Sequence, residues 1–296
     1  MRINQPGVYP SMPILDYVAD PCPDPSVNTT VIRDLLNGSP AHCAMHHPRI
    51  GGTHDAGGAA ADLGSAVHGV VFGGAERIVW IQADNFRTKL AQTERDEARA
   101  AGRIPLLIVQ RDVVETMAAN IRDMLAVIDP AMGWDFEQTL IWQEDGCWHR
   151  SRPDAINKTL PIIVDLKTTG TGEPTAWIQS VLYRSGYDLQ AAHGEAGAAA
   201  LGLGEKQYFF LLAENEPPYC TSFVALDQAA RDYAAHARHW AVKQFAACLT
   251  SGKWDGYPRV TTFAAPSWAT KTRYDKLVAL ENDAQNDASN DEGGTQ

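Results

Sequence analysis

The 296-residue chain has no long apolar run, no paired-cysteine motif, no internal repeat and no surplus of positive charge. Without a stretch of about 18 apolar residues, no transmembrane helix is expected. The opening "MRINQPGVYPSMP" lacks the apolar core of a signal peptide. Five cysteines (Cys22, Cys43, Cys147, Cys220, Cys248) lie scattered with no CxxC spacing, which argues against a disulfide framework or a zinc ribbon. Free thiols in a reducing compartment are expected, and with them a soluble, intracellular, cytoplasmic protein. A formal charge of −11 does not advertise a nucleic-acid binder. Yet the last sixteen residues, "ENDAQNDASNDEGGTQ", hold five acids and no base, so the rest stands at −6. A metal site built from carboxylates also adds negative charge without excluding a polyanion, because the cation reverses the local sign.

What is present reads as one α/β domain with an N-terminal helical extension. Residues 1–25 are proline-rich and predict an extended arm, followed by a helix capped among Asn28, Thr29 and Thr30. The first half of the Gly- and Ala-rich stretch 49–65 predicts a mobile loop, and "LGSAVHGVVFG" a short helix carrying His68. "NFRTKLAQTERDEARAAG" and "QRDVVETMAANIRDMLAVI" predict two more helices. In the second, Val113, Met117, Ile121 and Leu125 form a core-facing stripe. From 134 strands dominate: a hairpin around Glu144-Asp145-Gly146, the strand "LPIIVDLKTT", a helix broken near Ser185-Gly186, and two strands separated by Pro217-Pro218. A long helix follows, capped by Asp227 and ended by Gly252. The domain reading is a single unit over 1–277, with 1–130 as a mainly helical extension and 131–277 as core, then a disordered acidic tail from 278 to 296.

The stretch "RPDAINKTLPIIVDLKTTGTG" concentrates the chemistry. Residues i and i+2 share a strand face, so Asp165 and Lys167 point together while Leu166 points into the opposite layer. A turn around Asn157-Lys158 would return Asp154 alongside Asp165. Two carboxylates on neighbouring backbone, with a lysine beside them, suit a hard divalent cation such as Mg²⁺. A charged lysine cannot ligate the metal, but it can hydrogen-bond a metal-bound water or neutralise charge growing on phosphorus. The competing account of a lone D-x-K is an ordinary salt bridge, Asp165 with Lys167 or Asp154 with Arg152, at a solvent-facing strand end.

"RPD", ten residues, then "DLK" resembles the PD-(D/E)XK nuclease superfamily, and "RPD…IVDLKTT" its exonuclease VIII type. The likeness continues in "QPGVYP", the helix end "LLNGSPAH", "DLGSAVHGVVF", "YDLQAAHG" and "APSWA", colinear from about residue 5 to 270. It implies a central mixed sheet flanked by helices, in the order α-β-β-β-α-β. It also implies metal binding by Asp154 and Asp165 with the Leu166 carbonyl and His68, and a water-positioning or activating role for Lys167. Glu137 would supply another acid. Gln190 matches the glutamine of the family's Gln-x-x-x-Tyr element, whose tyrosine position is here Gly194; Tyr187 would take over that contact, or it is absent.

The resemblance further implies Mg²⁺-dependent hydrolysis of DNA at double-stranded ends from the 5′ strand, with Mn²⁺ able to substitute. Recombination or phage DNA processing would be the setting, with a single-strand annealing partner and a homo-oligomeric ring around DNA. The cysteine spacing cannot build the iron–sulfur cluster of some related nucleases, so none is expected. A structure-specific or single-strand endonuclease, or a non-catalytic DNA-binding protein, are the alternatives; intact Asp154, Asp165 and Lys167 favour an enzyme. Outside the motif, His236 and His239 predict solvated or packed side chains, and His42, His46 and His47 surface positions. Trp177, Tyr183, Tyr187 and Trp240 predict helix-to-sheet packing.

Overall fold

The structure, a computed structural model, describes residues 2–10, 12–52, 59–170, 172–262 and 264–292, with backbone alone at 59–61 and 283–292. The loop expected in the first half of 49–65 falls largely on residues 53–58, outside the described residues. The strands are β1 (Gly7–Tyr9), β2 (Ser26–Val27), β3 (Ile78–Ile81), β4 (Ile104–Leu107), β5 (Trp134–Phe136), β6 (Thr139–Glu144), β7 (Cys147–Ser151), β8 (Ala155–Asn157), β9 (Ile162–Thr169), β10 (Gln207–Glu214) and β11 (Thr221–Ala225). The α-helices are α1 (Ile14–Val18), α2 (Thr29–Asn37), α3 (Pro40–His46), α4 (Ala59–Phe72), α5 (Lys89–Ala100), α6 (Arg111–Ile128), α7 (Pro174–Trp177), α8 (Tyr183–Ser185), α9 (Tyr187–Ala200), α10 (Gln228–Ser251) and α11 (Ser267–Glu292). Residues 1–256 form one compact unit and 257–296 a second.

The central sheet is mixed, in the order β11-β10-β9-β8-β5. Alternation along β9 divides its two faces. Val164 and Leu166 pack with α4 and α6 residues, including Val67, Met117 and Ile121, while Ile163 packs with Trp177, Leu182 and Ala191 on the other side. The stripe of α6 faces the core as expected, with Val113 partly buried against it and Met117, Ile121 and Leu125 fully buried, and Val114 is buried beside them. The hairpin β6–β7 does not join β9, as an uninterrupted α-β-β-β order would suggest. It lies in a separate sheet, β1-β6-β7-β2, because β8 occupies the edge of β9 and the N-terminal arm supplies both outer strands. A third, parallel pair, β3–β4, was not legible in the sequence.

Two readings are corrected. His47 is buried rather than superficial, its Nε2 3.0 Å from the Ser26 carbonyl and 3.5 Å from Asp20, inside a polar knot that also holds buried Arg150. Tyr183 and Trp240 are exposed, while Trp177 is buried and stacks on Tyr187. Helix α11 spans Ser267–Glu292, a stretch that no proline or glycine interrupts. Cys22, Cys43, Cys147 and Cys248 are free and buried; Cys220 is free and exposed. No helix among the described residues is long and apolar enough to cross a membrane.

Helix α9 lies close over the hairpin because Gly197 has no side chain: a Cβ there would meet the Trp142 ring at 2.7 Å. Gly197→Ala is therefore expected to lose about 1–3 kcal/mol to overpacking, outweighing the roughly 0.5–1 kcal/mol that alanine normally gains in a helix. Urea unfolding of the two proteins checks the sign.

Candidate active site

The turn after β8 brings Asp154 back across from Asp165, since the register pairs Ala155 with Val164 in antiparallel. Asp154 Oδ2 accepts the Leu166 amide at 2.7 Å, fixing the carboxylate against the neighbouring strand. Its Oδ1 lies 2.8 Å from His68 Nε2. That imidazole nitrogen is also 2.9 Å from Glu137 Oε1, and Glu137 Oε2 is 2.5 Å from Arg152 Nε. Arg152 thus braces Glu137 rather than pairing with Asp154. Glu137 adopts φ 56°, a left-handed conformation costly for a residue with a side chain, while its N–H donates to the Asp154 carbonyl at 2.9 Å. Helix α4 comes near enough to deliver His68 because a Cβ at Gly64, one turn earlier, would meet Thr168 Oγ1 at 2.6 Å.

On the face of β9 away from Leu166, Asp165 and Lys167 form a second group. Lys167 Nζ is 2.5 Å from Asp165 Oδ2 and donates to Gln190 Oε1 at 3.0 Å. Gln190 Nε2 donates to Asp165 Oδ1 at 2.7 Å, closing a ring of three side chains. The Tyr208 hydroxyl donates to the same oxygen at 3.0 Å, and the Tyr187 ring centroid lies 4.0 Å from Nζ. Gly194 explains how Tyr208, from β10, gets there: a Cβ at 194 would overlap its ring at 2.6 Å. The hydroxyl at this point therefore comes from a strand, and Tyr187 meets the lysine through its ring. Tyr208 escaped the sequence reading because the parallel pairing of β10 with β9 leaves no local trace; its only signal is a tyrosine in the apolar run "YFFLLA".

The electrostatics differ between the two groups. Burial opposes charge on His68, but Asp154 and Glu137 raise its pKa to about 10. Burial also works against ionised Asp154, which the adjacent His68 holds below the usual carboxylate range. Asp165 is raised to about 6, by burial first and by Asp154 second, against the pull of Lys167. Lys167, disfavoured by burial, is nevertheless pushed up by Asp165 and stays protonated.

Ligand atoms of His68, Glu137 and Asp154 all lie within 4.8 Å of one another. Two carboxylates and an imidazole are a donor set for a hard or borderline divalent ion. The raised His68 pKa shows that positive charge is wanted there. Asp165 stands apart from this trio, with both oxygens held by protein donors. His68, Glu137, Leu166, Lys167 and Tyr187 line a cleft of about 1050 Å³, to which Asp154 and Asp165 connect through their contacts with His68 and Lys167. His236 and His239 are exposed and remote from it in the sequence and contact pattern, His239 lying 3.5 Å from Asp145.

A family model for a PDDEXK-like domain of unknown function (DUF3799) matches residues 32–258. The chain belongs to this PDDEXK-like family. No curated protein matches it. Among solved structures, a candidate exonuclease from Eubacterium rectale is similar at TM-score 0.52 and 11% identity, covering 82% of this chain and 91% of the other. That likeness concerns the fold. The structure of SSO0001 aligns at TM-score 0.27 and 10% identity over 63% of this chain and 84% of the other, too loosely to bear on either fold or function. Family membership accounts for the mixed sheet with its flanking helices.

Because the folded pKa of His68 lies above its unfolded value, its stabilising effect is complete below about pH 6.5 and is lost as pH rises through about 10. In EDTA, the stability gap between wild type and His68→Gln should shrink across that window, as followed by denaturant unfolding at each pH.

Proposed function

We propose that the protein is a divalent-metal-dependent nuclease that hydrolyses DNA phosphodiesters, acting as an exonuclease at double-stranded ends. The observation that carries this reading is that His68 and Glu137, two members of the His68–Glu137–Asp154 donor trio, line the same cleft as a half-buried, protonated Lys167. His68, Glu137 and Asp154 would hold the ion, and the exonuclease VIII resemblance adds Asp165 and the Leu166 carbonyl as ligands; Mg²⁺ fits, and Mn²⁺ can substitute. Such an ion binds a phosphate oxygen and lowers the pKa of a coordinated water.

The side chains do the rest. Lys167 keeps its proton, so it serves as a donor that orients the attacking water and offsets charge developing at phosphorus, not as the base. Gln190 and Tyr208 hold Asp165, and through it Lys167, in one orientation before substrate arrives. Arg152 holds Glu137 toward His68. The colinear motifs favour exonuclease action, and a structural neighbour is described as a candidate exonuclease. Attack from the 5′ end, a place in recombination or phage DNA processing, a single-strand annealing partner and a ring-shaped oligomer rest on the exonuclease VIII resemblance.

Linear duplex DNA should be degraded in Mg²⁺ while a covalently closed circle survives, and EDTA should stop the reaction. Lys167→Ala is expected to reduce the rate by at least about 10²–10³-fold. Cutting of the circle would replace the exonuclease with an endonuclease; binding without cutting would leave a DNA-binding protein. Tyr208→Phe, which removes one donor to Asp165 while keeping the ring, should lower activity about 10-fold or more in the same assay.

A further inference from the structure

The cleft extends beyond the metal-binding trio toward the start of the parallel pair β3–β4, where its lining includes Gly74, Glu76, Arg77, Ala101, Gly102 and Ile104. The register pairs Ile78 with Ile104, so Arg77 and Arg103, each the residue just before its strand, stand side by side where the two strands begin. Adjacent strands run about 4.8 Å apart, which sets two positive charges next to each other. Both side chains are exposed. Arg77 Nη2 donates to the Gly102 carbonyl at 3.1 Å, and Arg103 Nη2 lies 3.5 Å from the Glu76 carbonyl. These reciprocal contacts tie the two strand starts together, with Arg77 lining the cleft and Arg103 beside it at the rim.

Neither arginine has a carboxylate partner within 4.0 Å among the described residues. The nearest acid in sequence, Glu76, reaches Arg103 only through its backbone oxygen. Two like charges set together without an acid repel each other, and a chain of net charge −11 has carboxylates to spare for neutralising them. A guanidinium leaves most of its five donors free after one carbonyl contact, in a planar fork that matches phosphate oxygens.

We infer that Arg77 and Arg103 form a phosphate-binding ledge at the cleft mouth, gripping a backbone phosphate of the nucleic-acid strand away from the phosphodiester being cut. This deepens, and rests on, the nuclease reading. It explains how a strongly acidic protein holds a polyanion outside its metal site: attraction comes from one local ledge rather than from net charge.

The test measures binding separately from cutting. Fluorescence anisotropy with a short labelled duplex, in Mg²⁺ and in the Lys167→Ala background, gives Kd against salt concentration for the full chain. Arg77→Ala/Arg103→Ala should raise Kd about tenfold and reduce the log Kd–log salt slope by about one to two. Arg77→Lys/Arg103→Lys should recover the slope, and Glu76→Gln should tighten binding. Thermal unfolding of each variant establishes that it is folded. Equal losses are expected on 5′-phosphorylated and 5′-hydroxyl duplexes; a loss confined to the phosphorylated one would overturn the backbone assignment. An unchanged Kd and slope in the folded double variant overturns the ledge even where the wild type cuts DNA. A wild type that binds through the ledge yet never cuts DNA overturns the nuclease reading and leaves the ledge standing.

Discussion

Two carboxylates facing each other across adjacent strands are the constraint around which the site is built. Asp154 and Asp165 cannot both be ionised and buried unless positive charge or hydrogen-bond donors reach them, because desolvation and mutual repulsion act in the same direction. The fold answers from three directions. Helix α4 brings His68 to Asp154, β9 itself brings Lys167 to Asp165, and α9 with β10 brings Gln190 and Tyr208. The two helix approaches depend on missing side chains or a backbone break: Gly64 within α4 against Thr168, Gly194 of α9 against the Tyr208 ring, and the left-handed Gly186 that separates Tyr187 and Gln190 from the preceding turn.

The two acids are consequently specialised. Asp154 shares His68 with Glu137 in a group with room for a cation, whereas Asp165 is clamped by three donors and acts on Lys167. A carboxylate so held loses little further freedom when a reaction begins, which is the physical content of preorganisation. The left-handed backbone at Glu137 belongs to the same economy: local strain is tolerated where Arg152 and the Asp154 carbonyl hold the residue on both sides.

The N-terminal extension is part of this machinery. The Met12 carbonyl accepts from Arg152, which in turn holds Glu137, so the arm and the acid are coupled through one guanidinium. Further along the arm, Asp20, Ser26 and His47 surround buried Arg150, anchoring β2 to β7. A buried arginine without such partners would be untenable, and this knot accounts for why a proline-rich segment is fixed against the hairpin.

By itself, the sequence determined the strand carrying Asp165 and Lys167, the return of Asp154 beside it, the helix carrying His68, the break at Gly186 and both ends of α10. These are local: period-2 alternation, a short turn, a capping aspartate and chain-terminating glycines act within a few residues. It also carried, through motif likeness, the membership in a PDDEXK-like family. Tertiary structure alone decided that β6–β7 pairs with the arm instead of β9, that His47 is internal, and that Tyr208 reaches Asp165. It alone set Arg77 beside Arg103. Each of these depends on which distant strand lies alongside which, and strand pairing between segments separated by tens of residues is chosen by the packing of the whole core, not by the residues of either strand.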